Sequence, residues 1–143
     1  MKKNLTARTS MGFASTPSKI WKALTDPEII KQYLMGTNVT TDWKVGSPIN
    51  YKGEYNGKAY HDKGVIKQFE PGKILQTTYW SSQSGTEDKP ENYANVSYRI
   101  SPRNGKTALT ISQDNIKDQK GVAQSKENWK NVLKTMKGIL EKK

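Results

Sequence analysis

Apolar and polar residues alternate in several segments of the chain, and a period of two is typical of β-strands with one buried face. In the segment LTARTSMGF the apolar positions on one side are Leu5, Ala7, Met11 and Phe13. In the later segment NVSYRIS, Val96, Tyr98 and Ile100 alternate with polar residues. One apolar face and one polar face predict an antiparallel sheet that is covered on one side only.

Two short helices are predicted between the first strand and the rest of the sheet. Thr16 is a suitable N-cap, and Pro17 suits the first helical position, where its missing N–H group costs nothing. Asp26 and Pro27 repeat this arrangement. The first helix is therefore expected to end before them, and a second one to run to about Tyr33.

Turn residues divide the central segment, from Val39 to Asn115, into strands. Asn56-Gly57 and Asn104-Gly105 are typical of tight hairpin turns, because these residues tolerate a positive φ. Pro71-Gly72 fits a type II turn. About five strands are expected here, with a shorter one near Thr37–Thr41 before them.

The C-terminal segment, from about Gln119 to Lys142, has apolar residues three or four positions apart, which predicts an amphipathic helix. These residues are Val122, Trp129, Val132, Leu133, Met136, Ile139 and Leu140. The predicted fold is therefore α+β, in the order β-α-α-β6-α, with a curved antiparallel sheet around a long C-terminal helix. One domain is expected over residues 1–143.

Composition and charge limit the class of protein. The chain has no cysteine and a formal charge of +11, from 24 basic and 13 acidic residues. Few of the basic residues are arginines and the lysines are spread along the chain, so a solvated surface is favoured over a nucleic-acid interface. No apolar run approaches the ~18 residues of a transmembrane helix, and the start MKKNLTARTS lacks the apolar region of a secretory signal. A cytosolic protein is expected.

Residues suited to catalysis or metal binding are few. His61 is the only histidine, and Asp62 cannot readily orient it, because neighbouring strand residues point to opposite faces. No group of acidic residues and histidine has metal-ligand spacing, and neither a nucleophile elbow nor a dinucleotide-binding motif is present. The sequence therefore predicts no metal and no cofactor, and it favours a non-catalytic protein.

Several motifs occur together in an order that is known from one superfamily. The segment ASTPSKIWKALTDPEIIKQYL contains Pro17, the pair Ile20-Trp21 and the run Thr25-Asp26-Pro27-Glu28. The segment GVIKQFEPGKILQTTYW and the helix through Trp129 follow. In this ordered set the chain resembles the START-like (SRPBCC) helix-grip superfamily. Within it, the chain most resembles the family named for the activator of heat-shock protein 90 ATPase, in its single-domain, bacterial-type form.

The resemblance implies a pocket between the sheet and the C-terminal helix for a small hydrophobic or amphipathic ligand, either lipid-like or polycyclic. The residues expected to line it are Tyr33, Leu34, Tyr51, Trp80, Val96, Tyr98, Trp129, Leu133 and Met136. The same residues would also fill a solid core. Two other functions stay open: an interaction protein that activates a chaperone ATPase through its surface, and a cyclase- or hydrolase-like enzyme.

Overall fold

The computed structural model describes residues 5–34, 36–55, 57–82, 85–103 and 106–141. The first strand and the two short helices are β1 (Leu5–Phe13), α1 (Pro17–Thr25) and α2 (Pro27–Tyr33). Six more strands follow: β2 (Asn38–Thr41), β3 (Pro48–Tyr55), β4 (Lys58–Glu70), β5 (Ile74–Tyr79), β6 (Ala94–Arg103) and β7 (Lys106–Ile116). The last helix is α3 (Gln119–Leu140), and a single 3-10 turn covers Pro90–Asn92. The predicted order β-α-α-β6-α is confirmed.

All seven strands form one antiparallel sheet in the order β1-β7-β6-β5-β4-β3-β2. The first strand pairs with the last one, Phe13 opposite Thr107. Strands β1 and β2 therefore lie at opposite edges of the sheet, and α1 and α2 connect these two edges.

The predicted helix ends are confirmed in their hydrogen bonds. The Oγ1 of Thr16 accepts a bond of 3.2 Å from the backbone N–H of Lys19. The Oδ1 of Asp26 accepts a bond of 2.9 Å from the backbone N–H of Glu28. The backbone N–H of Asp26 itself donates to a backbone carbonyl group in the last turn of α1. One residue therefore ends α1 and begins α2.

The predicted turn at Pro71-Gly72 is also present. Gly72 has a φ of 77°, which a type II turn requires at this position. Asn56 and the pair Asn104-Gly105, from the other two predicted turns, lie outside the described residues.

The core lies between the sheet and α3. Helix α3 packs chiefly against β1 and β7, whereas α2 packs against β2. Phe13, Leu109, Leu133 and Met136 are fully buried where α3 meets the sheet. The strands between, β3 to β6, are covered by α3 only in part, which leaves a space on the inner face of the sheet.

In the described ranges no helix is long and apolar enough to cross a bilayer.

Candidate ligand-binding cavity

A cavity of about 580 Å³ lies between the inner face of the sheet and the first half of α3. Its walls come from the end of α2, from β3 to β7 and from α3. The lining residues are Leu34, Thr37, Tyr51, Tyr60, Asp62, Thr77, Tyr79, Val96, Tyr98, Gln113, Gly121, Gln124, Ser125, Asn128, Trp129 and Val132. A volume of ~300–1,000 Å³ is typical of sites for small molecules and cofactors.

Strand register brings the sheet residues of this cavity together. Tyr51 on β3 is the cross-strand partner of Asp62 on β4. Thr77 on β5 pairs with Val96 on β6, which in turn pairs with Gln113 on β7. Paired residues of antiparallel strands lie side by side on one face, so these side chains form rows across the cavity wall.

The helical wall is formed by residues three or four positions apart on α3, the spacing that keeps side chains on one face of a helix. Trp129 is held in place from two sides. Its indole N–H donates a bond of 3.0 Å to the Oε1 of Gln113, and its ring meets that of Tyr98 at 84° with centroids 5.9 Å apart. The helix is thus tied to β6 and β7 at the cavity.

Five of the residues predicted to line a pocket do line this cavity: Leu34, Tyr51, Val96, Tyr98 and Trp129. Their role as ligand contacts stays a prediction. Tyr33, Leu133 and Met136 are brought together instead in the solid core beside it. Tyr33 is 6% exposed, and its hydroxyl donates a bond of 2.9 Å to the carbonyl of Ala23.

Trp80 lies away from the other eight, on the outer face of the sheet. Its indole N–H donates to the Oγ1 of Thr86 at 3.1 Å, its ring stacks near Tyr93, and the ammonium of Lys63 lies 6.0 Å from its ring centroid. The physical reason is strand alternation: Tyr79 faces the cavity, so the next residue faces outwards.

Asp62 is the most important lining residue that sequence reasoning missed. Its side chain is buried on the inner face, where Oδ2 accepts a bond of 2.6 Å from the hydroxyl of Tyr79 and Oδ1 accepts one of 3.0 Å from the N–H of Ser82. As predicted, it does not orient His61, which is exposed and bonds to Asn50 at 2.7 Å. The signal that could have found it is its spacing from Ile66, a fully buried residue of the same strand. Residues an even number of positions apart on a strand point to the same face, so Asp62 is expected on the buried side.

Two hydroxyl groups of the cavity lining are buried without a hydrogen-bond partner among the described residues: Oγ1 of Thr77 and Oγ of Ser125. Thr77 is only 1% exposed and lies beside the phenol of Tyr51, outside hydrogen-bonding geometry. Buried polar groups in native proteins are nearly always paired, so each exception points to a missing partner.

Three phenols of the cavity, those of Tyr51, Tyr79 and Tyr98, are uncharged at neutral pH. Burial raises the pKa of Tyr51 to about 12; the neighbouring hydroxyl of Thr77 opposes this increase, and the charge of Asp62 adds a smaller one. Burial also raises the pKa of Tyr79, and its hydrogen bond to Asp62 adds to this increase. The pKa of Tyr98 is raised by burial and by the neighbouring phenols. The wall therefore presents neutral hydroxyl groups and one acidic side chain.

At the end of α2 a short hydrogen-bonded chain fixes another phenol. The hydroxyl of Thr37 donates a bond of 2.7 Å to the carbonyl of Leu34 and lies 2.5 Å from the hydroxyl of Tyr60. Because the proton of Thr37 is already used, the phenol of Tyr60 donates to Thr37.

No group of three or more metal-ligating side chains forms within the part of the chain that the structure describes.

Comparison with known proteins decides the family. A family model described as "Activator of Hsp90 ATPase homolog 1-like protein" matches residues 14–141. The chain belongs to this family. The resemblance found in the sequence is therefore confirmed, and so is the START-like, helix-grip fold. The chain is similar to a protein from Cytophaga hutchinsonii with a known solution structure. The two sequences are 40% identical, and the structures superpose with a TM-score of 0.86 over 99% of this chain and 96% of the Cytophaga protein.

More distant structures share the fold of this family member. The Aha1 dimer from Colwellia psychrerythraea is 20% identical, with a TM-score of 0.76 over 96% of this chain and 97% of that one. CalU16 from Micromonospora echinospora is 16% identical, with a TM-score of 0.71 over 99% of this chain and 87% of that one. At these identities the likeness shows the fold alone. None of the curated proteins matches the chain.

Proposed function

We propose that this member of the Activator of Hsp90 ATPase homolog 1-like family binds a small amphipathic molecule in the cavity, without catalysing a reaction on it. The observation that carries the proposal is a cavity of about 580 Å³ whose wall contains Thr77, a residue with a buried hydroxyl that has no hydrogen-bond partner among the described residues. Leaving a buried hydroxyl without a partner costs about 1–3 kcal/mol. A ligand with a polar group at this point supplies the missing hydrogen bond.

The remaining walls suit the apolar part of such a ligand. Leu34, Val96, Trp129 and Val132 present aliphatic and aromatic surface to the cavity. Each Å² of apolar surface that the ligand buries contributes roughly 25 cal/mol before the costs of association. Affinity would therefore come from apolar burial, and orientation from the hydroxyl groups of the sheet.

A thermal-shift screen with fatty alcohols, fatty acids and flavonoids tests the proposal, together with native mass spectrometry of freshly purified protein. A compound that raises the melting temperature of the wild type should shift it less in Tyr98→Leu and Trp129→Ala, which remove cavity walls. Lys130→Ala, an exposed residue on the opposite side of α3, is the control and should respond as the wild type does. If no compound shifts the wild type and no ligand copurifies, the proposal is wrong.

Membership of the family supports a second candidate, an interaction with a heat-shock protein 90 chaperone. The outer side of α3 carries the exposed lysines Lys126, Lys130 and Lys134, which would suit an acidic partner. A pull-down of the host chaperone at low salt, compared between the wild type and Lys130→Glu/Lys134→Glu, tests this candidate. No recovery of the chaperone by the wild type contradicts it.

A catalytic role has less support from the side chains of the cavity. Among the described lining residues Asp62 is the one carboxylate, and His61 faces the other side of the sheet. General acid–base chemistry commonly needs two groups that converge on the substrate. The proposal is therefore for binding alone.

A further inference from the structure

The charge of the cavity is opposite to the charge of the protein. The chain carries 24 lysine and arginine residues and a formal charge of +11. None of these basic side chains is among the described residues that line the cavity, whereas Asp62 is. The cavity therefore has a carboxylate and no basic side chain among its described lining residues, although the rest of the protein is rich in lysine. This distribution of charge favours a cation in the cavity.

Aromatic rings surround this carboxylate on the inner face of the sheet. Tyr51 is its cross-strand partner, Tyr60 lies two residues before it on the same face of β4, and Tyr79 donates a hydrogen bond to it. The rings of Tyr51 and Tyr79 meet at 67° with centroids 5.6 Å apart. Two such rings at an angle form a corner, and aromatic walls of this kind attract ammonium groups through the negative faces of the rings.

Asp62 still has acceptor capacity for a ligand. Its two oxygens receive one bond from Tyr79 and two contacts from Ser82, at 3.0 Å from the backbone N–H and 3.5 Å from the hydroxyl. A carboxylate offers about four lone-pair sites, so acceptor capacity toward the cavity remains. The unpartnered hydroxyl of Thr77 on the neighbouring strand can accept a further bond from an N–H donor.

We propose that the ligand of this cavity carries a cationic head, a protonated amine or a quaternary ammonium group, which lies against Asp62 and the surrounding phenols. The inference rests on the proposed function, because it names the chemical class of the ligand that the cavity takes. An anionic head at the same position would face the charge of Asp62 with no lysine or arginine among the described lining residues to balance it. Fatty acids are thereby disfavoured.

Three probes with the same apolar chain and different heads test the inference: decyltrimethylammonium, decanol and decanoate. Isothermal titration at neutral pH and ~0.15 M salt, where surface charges are screened over about 8 Å, gives the dissociation constant of each. We expect decyltrimethylammonium to bind at least about tenfold more tightly than decanoate, because the charge of Asp62 attracts one and repels the other. The positive surface of the protein favours the opposite order, so a preference for the cation must come from the cavity.

Asp62→Asn removes the charge and keeps the shape of the side chain. In this variant the dissociation constant of decyltrimethylammonium should rise about tenfold, while that of decanol stays within about twofold. Tyr60→Leu and Tyr60→Phe form a second pair of variants that does not depend on Asp62. The leucine variant should bind the cation more weakly, and the phenylalanine variant, which keeps the ring, should bind it as the wild type does.

The outcomes separate this inference from the proposed function. Binding of decanol or decanoate as tight as that of decyltrimethylammonium overturns the cationic head and leaves the amphipathic ligand standing. An unchanged affinity for the cation in both Asp62→Asn and Tyr60→Leu also overturns it. The absence of binding by all three probes contradicts both proposals.

Discussion

The hydroxyl of Tyr79 donates a hydrogen bond of 2.6 Å to the carboxylate of Asp62, and this pair joins β5 to β4 on the wall of the cavity. Tyr79→Phe removes the donor and leaves the rest of the ring. Because the carboxylate is buried, we expect a loss of about 1.5–3 kcal/mol in the free energy of unfolding, measured by urea denaturation.

Tyr93→Phe is the matched control for this loss. The phenol of Tyr93 also donates to an aspartate, Asp88, but that pair lies on the surface of the protein. Water replaces an exposed hydrogen bond readily, so no measurable change in stability is expected. Equal losses of unfolding free energy in the two variants would show that the buried Tyr79–Asp62 hydrogen bond stabilises the protein no more than an exposed one.

The buried phenols predict a loss of stability at alkaline pH. The pKa of Tyr51 is raised to about 12, and burial raises those of Tyr33, Tyr79 and Tyr98 as well. Unfolded tyrosines ionise near pH ~10, so above that pH the unfolded chain loses protons that the folded protein keeps. Stability from these groups is therefore complete below pH ~10 and falls above it, by up to about 1.4 kcal/mol per pH unit for each phenol.

Urea denaturation between pH ~8.5 and ~11.5 measures this decrease, and absorbance near 295 nm follows the ionisation of tyrosine in the same samples. Tyr51→Phe removes one of the late-titrating phenols, so the slope of stability against pH should be shallower than in the wild type. An identical slope in the variant would mean that Tyr51 titrates normally in the folded protein.

Thr77→Val tests the unpartnered hydroxyl that supports the proposed function. Valine has the same shape, so the ligand-free protein should be as stable as the wild type or up to about 1 kcal/mol more stable. Thr107→Val is the control, because the equally buried hydroxyl of Thr107 donates a bond of 2.7 Å to the carbonyl of Ser15. That variant should lose about 1–2 kcal/mol. A comparable loss in Thr77→Val, measured by thermal and chemical denaturation, would show that its hydroxyl is already satisfied.

Two adjacent residues of α3 test the boundary between core and cavity. Leu133 is fully buried in the core, whereas Val132 lines the cavity. Leu133→Ala creates a new void and should cost about 2–5 kcal/mol of unfolding free energy. Val132→Ala enlarges a space that already exists and gains helix propensity, so it should cost less than about 1 kcal/mol. If the two variants lose the same stability, Val132 is a core residue.

Most of the fold could be predicted from the sequence because local signals fix it. Thr16 and Asp26 each cap a helix whose first residue is a proline, and their positions alone set where α1 begins and where α1 ends and α2 begins. The alternation through Val96 and Ile100 likewise identifies the buried face of β6 without knowledge of its neighbours.

The cavity could be predicted only in part, because its boundary depends on single positions. Tyr33 is in the core while Leu34 lines the cavity, and Tyr79 faces inwards while Trp80 faces outwards. Both residues of each pair are large and apolar or aromatic, so composition does not distinguish a core residue from a cavity residue. Only the direction of each side chain in the structure does. Asp62 was missed although alternation with Ile66 puts it on the buried face, because a charged strand residue is ordinarily assigned to the solvent; the structure shows its partners on the inner face.

The most direct test of the central claim is to fill the cavity and measure ligand binding. Val96 is 2% exposed on the cavity wall, so the larger ring of Val96→Phe must extend into the space that the ligand would occupy. Val65→Phe makes the same change on the outer face, where Val65 is 37% exposed. Titration with an amphiphile that binds the wild type should show a loss of at least about tenfold in affinity for Val96→Phe and no change for Val65→Phe. Unchanged binding by a folded Val96→Phe protein would contradict the account.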